Sequence, residues 1–212
     1  MDRRLLLVAY RVGFAVLTLV AILVQAAELQ GRGVLVPANF LNYFTIQSNL
    51  IAVSVFLIGA ARWRAAPSPT WDLIRGAAVL VMTVTLIVFA LLLSGTDVDT
   101  ALLWVDLVVH RVMPIAVLID WMIDPPRSRI SVTASLRWLI YPLAWAVYTL
   151  VRGAATGWYP YPFLDPANGG YATVALYVLA ILVLGTVLCA AIRWVGNTLR
   201  DRREMRLAAT RS

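Results

Sequence analysis

The sequence predicts an all-α protein: a bundle of six membrane-spanning helices with both chain ends on the cytoplasmic side. Apolar and aromatic residues fill 61% of its 212 positions and charged residues only 14%, about half the share of an ordinary soluble domain. A soluble fold of this size cannot hide so much apolar surface, so the bilayer must solvate most side chains. The apolar residues fall into six runs, each near the roughly 20 residues that a spanning helix needs. The basic residues, all 18 of them Arg, collect around every second connection.

The first run, about 5–27, follows Arg3 and Arg4. It is too long for the apolar core of a signal peptide, and Arg11 interrupts it, so it is expected to stay as a helix. The second run, about 41–61, opens with polar residues. Arg62, Arg64 and Arg75 flank the connection to the third, about 71–93. The fourth, about 101–122, carries Asp106, His110 and Pro114 and precedes Arg127, Arg129 and Arg137. The fifth, about 136–151, is the shortest; Pro142 kinks it, or the residues before Leu136 lengthen it. The sixth, about 173–194, leads into a basic tail at 195–212.

The first, third and fifth connections hold only Arg32 and Arg152, with Glu28, Asp97, Asp99 and Asp165. Arginine excess marks the cytoplasmic side, so the termini face inward. The whole chain reads as a single integral domain of the cell membrane. The exclusive use of Arg reads as the codon bias of a GC-rich bacterial genome.

The net charge of +7 does not point to nucleic acid, because the arginines sit in short connections and not on one patch. One cysteine, Cys189, excludes an intrachain disulfide and a cysteine-held metal cluster. One histidine, His110, excludes a bis-histidine haem and a multi-histidine zinc site within one chain. There is no Gly-x-Ser-x-Gly elbow and no Gly-rich phosphate loop. No metal and no cofactor is expected.

Polar groups are expensive in hydrocarbon, so each needs a partner or a task. Asn42, Thr45, Ser48 and Asn49 lie at helical spacings that put them on one face, and Gln47 belongs to the same polar run. Asp106, His110 and Pro114 follow one another at four-residue intervals. Asp106 can fix the imidazole tautomer, and Pro114 cannot donate to the His110 carbonyl, which loosens the helix there. Helical rise from the outer ends puts Thr45 roughly 6 Å and His110 roughly 13 Å deep. A hydroxyl and an imidazole in the same half of the bilayer are the minimum for a base-activated nucleophile. Both clusters also have a bland reading, as polar side chains bonded across helix interfaces. Arg111 is expected to pair with Asp106 or to line the pocket. Arg11 and Asp120 are expected to pair in the inner half of the bilayer, near the cytoplasmic ends of the first and fourth helices. The aromatic stretch at 157–164 is either an interfacial belt or a lid, with Trp158 and Tyr161 at a pocket mouth.

Tyr43, Phe44 and Thr45 early in one helix, His110 and Pro114 in a later one, and a Trp- and Tyr-Pro-rich outer loop resemble the androgen-induced membrane protein family. The Phe-Thr-Ile-Gln-Ser-Asn segment at 44–49 is similar to its bacterial six-helix branch. The resemblance spans most of the chain, about 5–195, on short motifs. It implies a serine-hydrolase-like enzyme with Thr45 as nucleophile and His110 as base, cleaving fatty-acyl esters of hydroxy fatty acids. Ser48 is a rival nucleophile, and Asn49, Gln47 or Arg111 would hold the oxyanion. Membrane lipids and a lipid ester substrate are the expected partners. The alternative is a non-enzymatic carrier or lipid-binding protein that uses the same polar patch.

Overall fold

The computed structural model describes residues 3–94 and 102–209, and 84% of it is helical with no strand among the described residues. Asp97, Asp99 and Arg211 lie outside the described residues. Six helical rods account for the six apolar runs. They are α1 (Arg3–Gly31), α2 (Phe44–Ala61), α3 (Pro69–Leu93), α4 (Leu103–Leu107, Val108–Val112 and Met113–Ile123), α5 (Val132–Leu136, Arg137–Leu139 and Ile140–Thr156) and α6 (Gly170–Ala209). Four of them, α1, α2, α3 and α6, are continuous and apolar enough to cross a membrane.

Local chemistry explains the boundaries. Ser68 caps α3 by accepting the Trp71 N–H, with Pro69 in the first helical turn, where its missing N–H costs nothing. Ser131 caps α5 through the Ala134 N–H. The residues before Leu136 lengthen the fifth run, one of the two alternatives expected, back to Val132. It tightens into a 3₁₀ turn at Arg137–Leu139, one turn before Pro142, whose ring leaves the Trp138 carbonyl without its helical donor. Gly157 ends α5 with φ of 73°, a left-handed conformation that a side chain would strain. α6 runs on through the basic residues after 195 as one helix to Ala209.

α3 is the central rod. Ala78, Leu80 and Met82 are fully buried, and it packs against α2, α4 and α6. α1 lies along α2 and is tied to α4 by the Tyr10 hydroxyl, which donates to the Ala116 carbonyl.

The end of the bundle away from Thr45 is tied together by an ion-pair network. Arg11 donates to Asp120 at 2.7 and 3.1 Å and to Asp124 at 2.8 Å. The expected Arg11–Asp120 pair is therefore present, but it is half of a larger unit. Arg75 donates to Asp120 at 2.9 Å and to the Asp124 carbonyl oxygen at 2.6 Å. From the sequence Arg75 reads as a connection charge; the structure buries it at 5% exposure. Burial alone would raise the Asp124 carboxyl, but Arg75, Arg11 and Arg127 outweigh it and hold the group below the ordinary carboxylate value.

Candidate active site

The site forms at the first turn of α2. Tyr43 is extended just before the helix and offers no side-chain cap, so the first backbone N–H groups lack intrahelical acceptors. The Thr45 N–H donates instead to the Tyr161 hydroxyl oxygen at 3.3 Å. The same hydroxyl lies 3.3 Å from the Thr45 Oγ1. Burial pushes the Tyr161 phenol up from its ordinary value, against the opposing pull of the Thr45 hydrogen bonds. Tyr161 therefore stays an O–H donor at neutral pH.

On the other side of Thr45 stands His110, with Nε2 at 3.2 Å from Oγ1. Its Nδ1 lies 2.8 Å from Asp106 Oδ1. A carboxylate can only accept there, so Nδ1 carries the hydrogen and Nε2 presents its lone pair to the Thr45 hydroxyl. The ring is held flat against Phe89, stacked at 3.8 Å with an interplanar angle of 10°. Phe89 and His110 both lie in π-helical turns, Phe89–Leu93 on α3 and Val108–Val112 on α4. Pro114 explains the second of these: without its N–H the His110 carbonyl has no α-helical donor, and the turn widens.

The remaining polar residues play different parts. Asn49 and Ser48 support the backbone. Asn49 Nδ2 donates to the carbonyls of Thr45 and Val109, at 2.8 and 2.9 Å, and so ties α2 to α4. Ser48 bonds the Thr45 carbonyl and the Thr85 hydroxyl, at 3.1 and 2.9 Å, and makes no hydrogen bond to His110. Gln47 turns away, donating to the Leu41 carbonyl and accepting from Tyr141 at 2.7 Å. Asn42 does not share the α2 face, because the chain is still turning before Phe44; its amide is buried without a hydrogen-bond partner. Arg111 does not pair with Asp106. It is exposed, with its guanidinium 5.8 Å from the centre of the Phe89 ring. One residue on from an inward-facing histidine, it is rotated out of the bundle.

The aromatic stretch after α5 folds inward. Tyr161 is 6% exposed and Leu164 2%, which an interfacial belt would not show. Gly153 lets it approach: a Cβ there would stand 2.1 Å from the Tyr159 ring. Trp158 packs edge-on to Tyr43 at 5.6 Å, and Tyr161 does the same at 5.7 Å.

Two cavities meet at Thr45. One, of ≈ 90 Å³, is almost wholly apolar and runs between α3, α5 and α6 past Val88, Leu139, Ala146 and Ile181. The other, of ≈ 200 Å³, is more polar and is bordered by His110, Gln25, Asn39 and Trp158. Thr45 and Tyr161 line both, so the two hydroxyls stand at the junction of a greasy slot and a wetter vestibule. Among the described residues no three His, Cys, Asp or Glu side chains gather into a metal-binding group. No protein-family model, no curated protein and no solved structure matches this chain.

Proposed function

We propose that this protein is an intramembrane lipid ester hydrolase with Thr45 as nucleophile and His110 as general base. The observation that carries the reading is the continuous chain from Tyr161 to Thr45, His110 and Asp106, set at the junction of two chemically different cavities. The resemblance to the androgen-induced family implies the same two residues, and fatty-acyl esters of hydroxy fatty acids as substrate. In this proposal the chain crosses the membrane six times, with α4 and α5 completing the spans, both termini in the cytoplasm and the Thr45 site toward the outer face. The arginine distribution supports that orientation.

The acyl chain occupies the apolar slot and sets its carbonyl beside Thr45. His110 Nε2 takes the Thr45 proton as Oγ1 bonds to the carbonyl carbon. Charge on the carbonyl oxygen is met by the Tyr161 O–H and by the positive end of the α2 dipole. His110, now protonated and held by Asp106, returns the proton to the departing alkoxide as the ester C–O bond breaks. Water from the vestibule then adds to the acyl-threonine by the same route and releases the acid.

An active-site-directed fluorophosphonate tests the reading. Labelling is expected in the wild type and in Ser48→Ala, and absent in Thr45→Ala. Labelling that survives Thr45→Ala removes Thr45 as nucleophile. No labelling in any form, with pH-dependent lipid flux in proteoliposomes, would favour the carrier.

A further inference from the structure

The bundle end remote from Thr45 holds a third and larger chamber, of ≈ 920 Å³. Nine arginines line it, against two aspartates, Asp72 and Asp124. The charges do not cancel locally. Asp124 is engaged with Arg11 and Arg75, and the Asp72 carboxylate accepts the backbone N–H groups of Arg127 and Ser128 at 2.9 and 2.8 Å. The surplus comes from segments far apart in sequence. Arg62 and Arg64, from the connection between α2 and α3, rest over the rings of Trp71 and Trp63, at 5.5 and 4.1 Å. A ring face orients a guanidinium and leaves its charge in place. Arg202 and Arg206 come from the overhanging end of α6, four residues apart, where like charges destabilise a helix. The overhang is nevertheless fixed in position: Arg200 donates to the Arg127 carbonyl at 3.1 Å and pairs with Glu204 at 2.7 Å.

The chamber is also not uniformly polar. Leu7, Met122, Ile123 and Leu207 share its wall, and Met122 is 50% exposed on the apolar flank of the bundle. A ligand that satisfies both surfaces carries multiple negative charge at one end and hydrocarbon at the other. Guanidinium forks match phosphate oxygens in pairs. We propose that this chamber is a binding site for a phosphate-bearing anion, and that its occupant is the headgroup of an anionic phospholipid whose acyl chains lie along Met122 and Ile123. The site is independent of the chemistry at Thr45.

The test uses the full chain purified in an uncharged detergent, with thermal unfolding as the readout. Phosphatidic acid, phosphatidylcholine and inorganic pyrophosphate are added separately at matched concentration. Phosphatidic acid is expected to raise Tm by about 3 °C or more, with no shift from phosphatidylcholine. The paired variant Arg62→Gln with Arg206→Gln should lose that shift, and Arg32→Gln, at the other end of the bundle, should keep it. An equal shift from pyrophosphate would support the phosphate site and assign its occupant to a soluble anion. No shift from either phosphate, or a shift unchanged in the paired variant, overturns the proposal. If the paired variant does not fold, native mass spectrometry of the wild type from mixed bilayers decides. Selective retention of phosphatidic acid over phosphatidylcholine is expected, and retention in proportion to bilayer content refutes it.

Discussion

Tyr161→Phe removes one oxygen from the centre of the site and leaves the ring. The ring contacts to Tyr43, Trp145 and Phe163, at 5.7, 6.1 and 5.3 Å, do not need the hydroxyl. The loop should therefore hold its place. Two effects follow from the lost oxygen. The buried Thr45 N–H loses its acceptor, which costs stability near the low end of about 1–3 kcal/mol because the bond is long. That lowers Tm by about 2–4 °C for each kcal/mol. The second effect is on rate, and its size separates two roles. If the hydroxyl only positions Thr45, two neutral bonds of about 1 kcal/mol each cap the loss at roughly thirtyfold. If it donates to the developing oxyanion, kcat falls by about 10²–10³. The larger loss is expected, with KM within about threefold, because the donor acts on charge that exists only in the transition state. Steady-state hydrolysis of a soluble lipid ester in detergent gives both constants. A kcat within threefold of wild type, while Thr45→Ala is inactive, would refute any role for Tyr161 in the chemistry.

Three further perturbations probe the rest of the reasoning. Asp106→Asn replaces a charge-assisted bond worth about 1.5–3 kcal/mol with a neutral one. The difference is about 0.5–2 kcal/mol, and the carboxylate side chain is 21% exposed, so kcat/KM should fall toward the lower part of about 2- to 30-fold; an unchanged value means that the tautomer is set elsewhere. Ala146→Trp puts an indole into the ≈ 90 Å³ slot, so rates on long-chain esters should drop much more than rates on acetyl esters; a uniform loss would place the acyl chain in another cavity. Asp120→Asn leaves Arg11 and Arg75 buried beside one remaining carboxylate and should destabilise the fold by about 3–5 kcal/mol, measured by denaturant unfolding in micelles; a cost below about 1 kcal/mol would mean that water reaches the network.

The sequence made some of this legible and hid the rest for physical reasons. Asp106 and His110 are four residues apart on one rod, so their contact follows from helical period alone. Pro114 foretells a disturbance at His110, though not that it becomes a π turn. Thr45 meeting His110 needs two rods to align, which spacing within each rod cannot supply. Tyr161 meets Thr45 across 116 residues. Its loop has the composition of an interfacial belt, and only the close approach at Gly153 and the turn at Gly157 show that it folds inward. Phe89 gives no signal, since an aromatic residue in an apolar run is ordinary there. Asn42 misleads because helical spacing was extended through residues that precede the helix. Arg75 misleads because an arginine near a connection reads as topology charge, and nothing local announces its carboxylate partner 45 residues away.

The π turn on α4 has a consequence for how the two ends of the molecule depend on each other. One rod must aim Asp106 and His110 at Thr45 and, further along, Asp120 at Arg11 and Arg75. A uniform helix fixes the angle between those two directions by residue number alone, at about 100° per step. The wider turn at Val108–Val112 changes that angle. It works as a phase adjuster, letting each end of the rod meet its own neighbours without compromise. Deleting one residue within it would leave both halves helical and mis-aim one end against the other, so the hydrogen-bond chain at Thr45 and the ion-pair network are mechanically linked through one π turn.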